Sequence, residues 1–184
     1  MTNIDAREAP SALSDIDEIA NRVRQSTIYN LASLILALWG ALTFAGYLVT
    51  YLSPHHAGYA WIAVYVAGIA GTIAISALNR ARYGIRTFDF RMFAAFLLFI
   101  VFGVFCNWFG HFTPRQMGTF WPIYFMLFYT IAGLWIGLAF VAIGLSIIVL
   151  TLIAYFFSGN AFDLSMAFVN GGGLVLGGLW MRRS

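Results

Sequence analysis

A chain of 184 residues with 61% hydrophobic and only 9% charged side chains has too little polar surface for a water-soluble fold, in which roughly 25% of residues are charged. The class that fits is all-α: an integral membrane bundle of six transmembrane helices behind a short amphipathic N-terminal helix, since in hydrocarbon the backbone must satisfy its own polar groups. The ten basic residues are all Arg, give a net charge of +3 and sit in short segments between apolar runs, which excludes a nucleic-acid partner and makes the lipid bilayer the first partner.

In chain order, residues 1–26 read as a cytoplasmic amphipathic segment. Leu13, Ile16, Ile19, Ala20 and Val23 recur at spacings of three and four, the period of a one-sided helix over 11–25. Asp15, Asp17 and Glu18 come early and Arg22 and Arg24 late, which complements the helix dipole, with Glu18–Arg22 as an i,i+4 pair. The segment either lies in the membrane interface or extends the first span into solvent. A cleavable signal is not expected, because polar residues precede an apolar run that is itself long enough to span.

Residues 27–184 form the membrane domain. The first span covers about 27–52, and Ser53, Pro54, His55, His56 and Ala57 turn the chain into a second at about 58–79. Arg80, Arg82, Arg86 and Arg91 make the chief basic loop, with Gly84 as the break. A third span at about 91–110 stops in the run from Gly110 to Arg115. Residues 117–157 carry no charge; one helix of that length would measure about 60 Å, twice the ~30 Å hydrocarbon core. They must fold back near Gly133–Gly137, giving spans at about 118–134 and 137–157, with Pro122 suited to a first-turn position. The sixth span runs at about 162–181.

Charge checks the count. With the N-terminus inside, six spans place Arg7, Arg22, Arg24, Arg80, Arg82, Arg86, Arg91, Arg182 and Arg183 inside and Arg115 alone outside. Both termini are then cytoplasmic. The all-Arg basic set, with abundant Ala and Gly, points to a bacterial chain of high genomic GC content and so to the cell inner membrane. Cys106 stands alone in an apolar run, so the chain holds no internal disulfide.

The same topology gathers His55, His56, His111 and Asp163 into loops on the outer side, a donor set chemically adequate for Zn or Cu, with Met117 as a soft neighbour. Haem is disfavoured, because no His lies inside a span. Gly144-Leu145-Ser146 supplies a Gly-x-Ser, but no His follows residue 111, and an unactivated Ser is a poor nucleophile.

Two aromatic patterns differ. Phe90, Phe93, Phe96, Phe99, Phe102, Phe105 and Trp108 recur every three residues, so their positions precess around the helix and serve several neighbours or lipid. Trp121, Tyr124, Phe125, Phe128 and Tyr129 fall at i, i+3, i+4, i+7 and i+8, a one-sided face suited to a quinone, a carotenoid, a lipid tail or a partner helix. Trp61, Trp108, Trp121, Trp135 and Trp180 lie near span ends, where an interfacial belt belongs.

Small-residue pairs at Gly133/Gly137, Gly173/Gly177, Ala41/Ala45 and Ala67/Gly71 permit close helix contact, within the bundle or between subunits. Asn170, Gly171, Gly172 and Gly173 place an amide beside three glycines, the composition of a locally unwound substrate path. The plainer expectation is that Asn170 bonds to Asn107 or Ser146 on a neighbouring span.

With no charge near the middle of any span, the first functional expectation is a non-catalytic accessory, scaffolding or assembly subunit, with a membrane-protein partner or a second copy of itself. The second is a small transporter or channel for an uncharged or lipophilic substrate. The third is a membrane metal or redox protein using the outer His residues. No cofactor is named by the sequence.

Overall fold

The computed structural model describes the backbone of residues 8–83 and 90–182, and side chains over 29–81, 91 and 94–182. Its elements are α1 (Glu8–Leu52), α2 (Ala57–Tyr83), α3 (Phe90–Gly110), α4 (Pro114–Ile136), α5 (Leu138–Phe157) and a composite last helix. That last helix joins α6 (Phe162–Met166), a π-helical segment (Ala167–Gly172) and α7 (Gly173–Met181). Five stretches are long and apolar enough to cross a membrane: Tyr29–Leu52, Pro54–Ala81, Pro114–Ile136, Leu138–Phe157 and Gly159–Met181. The described apolar part of α3, Ala94–Gly110, is shorter. Ile62, Val66 and Ile73 of α2 are 62%, 63% and 64% exposed, an outward apolar surface that suits lipid rather than water.

The N-terminal segment and the first span are one element. Helix α1 has 45 residues, about 67 Å at 1.5 Å per residue, with no break between the polar part and the apolar part. The amphipathic face of Leu13, Ile16, Ile19, Ala20 and Val23, the Glu18–Arg22 pair, Arg7, Arg24, Arg82, Arg86, Arg183 and the break at Gly84 lie outside the described residues or side chains.

The hairpin between α4 and α5 falls where charge and length required it. Gly137 alone separates the two helices, at φ 155° and ψ 153°, a region open essentially only to glycine. Its N–H donates to Gly133 O and its carbonyl accepts from Phe140 N, so one residue reverses the chain. Helix α4 starts earlier than expected. Thr113 caps it, its Oγ1 accepting from Gln116 N while its own N–H donates to Gln116 Oε1, and Pro114 takes the first turn.

Pro122 therefore sits inside α4 and is buried, not in a first turn. A proline there cannot donate to the carbonyl four residues back, that of Gly118. Tyr47 of α1 fills the vacancy: its hydroxyl donates to Gly118 O at 2.7 Å.

Helices α1, α4, α5 and the last helix share the interior. One core joins Leu36, Met126, Phe140, Ile143, Ile147, Leu174 and Met181; a second joins Tyr47, Ala154, Phe162, Met166 and Ala167. Backbone approaches backbone between α1 and the last helix, because glycines leave no side chain in the seam. A Cβ on Gly40 would lie 2.8 Å from Gly171 O, and one on Gly178 would lie 2.7 Å from Ser33 O. Gly173 and Gly177 face Ile147 and Ile143 of α5, so this small-residue pair is spent on internal packing.

Helix α2 seats on α1 through Gly68 against Trp39 and Gly71 against Leu38. Two indole bonds tie the pair, Trp39 Nε1 to Thr72 Oγ1 at 3.0 Å and Trp61 Nε1 to Thr50 Oγ1 at 3.1 Å. Ala41, Ala45 and Ala67 face outward. Helix α3 leans mainly on α4.

Candidate functional site

Among the described residues, the donor set expected in the outer loops is not gathered into a metal-holding group. His55 and His56 are exposed in a 3-10 turn at Pro54–His56, and His56 Nδ1 pairs with Ser53 Oγ at 2.8 Å. His111 is exposed and holds φ 46°, the left-handed residue that ends α3 just beyond Gly110. Asp163 opens α6 beside Arg115. Among the described residues no three His, Cys, Asp or Glu side chains approach closely enough to hold a metal ion. The reason is the short turns, which fix each histidine at its own helix end.

The aromatic stripe of α4 meets α3 along part of its width, while Phe128 stays 44% exposed. Tyr124 stacks on Phe99 of α3 at 3.9 Å between centroids and donates its hydroxyl to Phe99 O at 2.9 Å. Phe125 and Phe128 flank the same Phe99 ring at 5.6 and 5.1 Å. Gly103 lies one turn along α3, and a Cβ there would collide with Trp121 and Tyr124. Tyr129 turns instead to Phe140 of α5 at 5.2 Å. Trp121, Tyr124, Phe125 and Phe128 are thus the seat of α3, and Phe96, Phe102 and Phe105 remain outward. Of the tryptophans expected at the boundary, Trp108, Trp135 and Trp180 are exposed near helix ends, whereas Trp61 packs edge-on against Tyr47.

Comparison with protein-family models, curated proteins and solved structures finds no match.

Asn170 lies in the π-helical segment, 5% exposed, with Oδ1 buried and without a hydrogen-bond partner. The expected bond to Asn107 or Ser146 is not made. Asn107 Nδ2 donates to Gly103 O of its own helix. Gly171 is pressed against the Phe44 backbone, Gly172 has nothing within 4 Å of the point where a Cβ would stand, and Gly173 faces Ile147. The three glycines therefore have different surroundings.

A second unpartnered oxygen was not signalled by the sequence. Thr43, Thr50, Thr72, Thr119 and Thr130 each donate to the carbonyl four residues earlier, the usual refuge of a hydroxyl in a helix. Thr151 of α5 does not; its Oγ1 is fully buried and unpartnered. The antiparallel register set by Gly177 with Ile143 and Gly173 with Ile147, continued one turn, brings Thr151 to the level of residues 169–170. That register places the two unpaired oxygens near one level of the interior. Neither titrates, and neither has a base to activate it, so the pair offers hydrogen bonding and no acid–base or nucleophilic chemistry.

Arg115 is the other residue that the sequence marks only as a topological charge. Its Nη2 donates to Tyr155 O at 2.5 Å, one of the last carbonyls of α5, and its guanidinium lies 5.4 Å from the Tyr155 ring centroid and 5.0 Å from that of Phe162. The cation so placed satisfies a helix C-terminus. Its Nε is buried without a partner.

Proposed function

We propose that this protein is a non-catalytic, six-span subunit of a bacterial inner membrane, with both termini cytoplasmic, that assembles or scaffolds another integral membrane protein. The observation that carries the reading is the divergence of α2 and α3. These helices follow one another in the chain, yet α2 packs on α1 and α3 on α4, with no substantial α2–α3 packing among the described residues. Their outer sides are apolar along their length, from Ile62 to Leu78 and from Leu97 to Phe109. Such a pair of flanking faces suits the side of a partner helix, which gains by van der Waals packing what lipid supplies less specifically. The seams within the bundle are closed by its glycines, and among the described residues no charged group lies near the middle of a span to serve catalysis or ion transport.

The test is site-specific photo-crosslinking in native membranes from Ile69 of α2 and Phe102 of α3, with Val149 of α5 as the control on an exposed face. Discrete protein adducts from the first two positions, absent from the third, are expected. An adduct of twice the chain mass identifies self-association. Crosslinks to lipid alone from all three positions would remove the proposal. Orientation is tested with a cysteine at position 86 in a Cys106→Ser background, which should resist a membrane-impermeant maleimide added from the periplasmic side.

One observation favours the second reading, a transporter or channel for an uncharged substrate: the unpartnered amide of Asn170 in a π-helical segment, a local geometry frequent at functional sites. Flux into proteoliposomes that is unchanged by Asn170→Leu would dispose of it.

A further inference from the structure

The beginnings of α4 and α6 and the end of α5 meet at one end of the bundle, where they hold a cation, a carboxylate and an apolar groove side by side. Arg115 is the second residue of α4, Tyr155 lies in the last turn of α5 and Asp163 in the first turn of α6. Two ring faces and the Tyr155 carbonyl fix the guanidinium in place, so it is organised before any ligand arrives. Asp163 lies within electrostatic reach of it, yet the two close no ion pair. Both side chains are half-buried. Arg115 Nε, buried and unpartnered, is the kind of orphaned donor that a missing anion or water explains.

Beside this pair runs a shallow groove lined by Phe112, Gln116, Thr119, Phe120 and Tyr155. Tyr155 belongs to both features: its carbonyl takes the arginine bond and its side chain helps to wall the groove. Thr119, one turn along from Arg115, donates its hydroxyl back to the Arg115 carbonyl and lines the groove. An apolar groove that adjoins a separated pair of opposite charges through Tyr155, at the end of a set of membrane-length helices, has the polarity of a lipid.

We propose that this end of the bundle binds one phospholipid with a primary-amine headgroup: phosphate on the Arg115 guanidinium, ammonium on the Asp163 carboxylate, and an acyl chain in the groove of Phe112, Phe120 and Tyr155. A zwitterionic headgroup matches two opposite charges that stand apart, whereas a purely anionic lipid would meet the Asp163 carboxylate. The proposal requires only that this end of the bundle reach the headgroup layer, so it does not depend on the protein-partner reading.

Native mass spectrometry of the full chain, released from micelles containing palmitoyl-oleoyl phosphatidylethanolamine or phosphatidylglycerol, reads the binding directly. The wild type should retain phosphatidylethanolamine in preference to phosphatidylglycerol. Arg115→Gln should reduce its retention by about tenfold to a hundredfold, the scale of a lost charge-assisted hydrogen bond. Asp163→Asn should shift the preference toward phosphatidylglycerol, and Phe112→Ala should weaken retention of either lipid by about threefold to tenfold through lost apolar contact. Should Arg115→Gln fail to fold, because Arg115 also holds the end of α5, Asp163→Asn and Phe112→Ala still decide the matter. The proposal is overturned if folded Asp163→Asn keeps the wild-type preference, if Phe112→Ala retains lipid undiminished, or if inorganic phosphate displaces the bound lipid, which would make the site one for a free anion.

Discussion

Gly171 and Gly172 are neighbours in the same π-helical segment, and the structure assigns opposite consequences to giving each a methyl group. On Gly171 a Cβ would stand 2.5 Å from Phe44 Cβ, 2.6 Å from its Cα and 2.7 Å from its N. Carbon atoms pack best at about 3.5–4.0 Å, so the shortfall is about 1 Å against atoms of a helix backbone that no rotamer change can move. Helix α1 must then back away, and a gap of that size forfeits roughly a quarter to a half of each dispersion contact along the seam. Overpacking of this kind typically costs about 1–3 kcal/mol. On Gly172 a Cβ meets nothing within 4 Å, and replacing glycine by alanine within a helix gains about 0.5–1 kcal/mol. The propensity gain is common to both variants, so Gly171→Ala should be less stable than Gly172→Ala by about 1–3 kcal/mol, the overpacking cost. Reversible unfolding in mixed dodecylmaltoside–dodecylsulfate micelles, followed by tryptophan fluorescence, measures the difference. Equal stability of the two variants would refute the claim that α1 and the last helix touch backbone to backbone.

Other expected outcomes use the same assay. Tyr47→Phe should cost about 1–3 kcal/mol by orphaning Gly118 O. It should cost distinctly less in a Pro122→Ala background, where the restored N–H serves that carbonyl; a cycle with no coupling would show that the tyrosine does not stand in for the missing bond. Gly137→Ala should destabilise by about 1–3 kcal/mol through its backbone conformation alone, and Tyr29→Phe should recover part of any additional loss, because the Tyr29 hydroxyl is the nearest obstacle to the new methyl. Thr151→Val, which replaces a buried unpartnered hydroxyl with a methyl of similar size, should be neutral or stabilising; clear destabilisation would mean that the hydroxyl is bonded. Tyr124→Phe should cost about 0.5–1.5 kcal/mol for its bond to the Phe99 carbonyl, with the α3 seat retained by ring stacking.

The membrane-bundle character and the α4–α5 reversal are readable because each follows from a one-dimensional quantity. An uncharged stretch from 117 to 157 is too long for one crossing, and only a glycine accepts the conformation found at Gly137. Pro122 misleads because a proline near the start of an apolar run looks like a first turn. The Thr113–Gln116 capping box upstream, with Pro114 inside it, is the signal that places the start earlier. The separation between N-terminal helix and first span is also an inference from polarity, and polarity does not break a helix that contains no glycine or proline between residues 11 and 52 other than Gly40 and Gly46.

The candidate sites divide along the same line. Asn170 stands out in sequence because an amide beside three glycines is unusual, and the π-helical segment falls there. Thr151 cannot stand out, since its hydroxyl differs from those of Thr43, Thr50, Thr72, Thr119 and Thr130 only in the direction it takes. The four-residue donor set expected on one side of the membrane is not gathered into a metal-holding group among the described residues, because sharing a side limits residues to a plane, not to a point within it.

Hydropathy and charge spacing alone determined that this chain solves the problem of a polar backbone in oil with helices, because transfer free energy and helix length add residue by residue. Which faces meet was decided by packing in three dimensions. That Gly171 receives Phe44, that Phe99 claims the α4 aromatics and that Arg115 reaches the end of α5 depend on contacts between segments 25 to 127 residues apart. Short-range attraction acts only once the helices are side by side, so no local pattern encodes it.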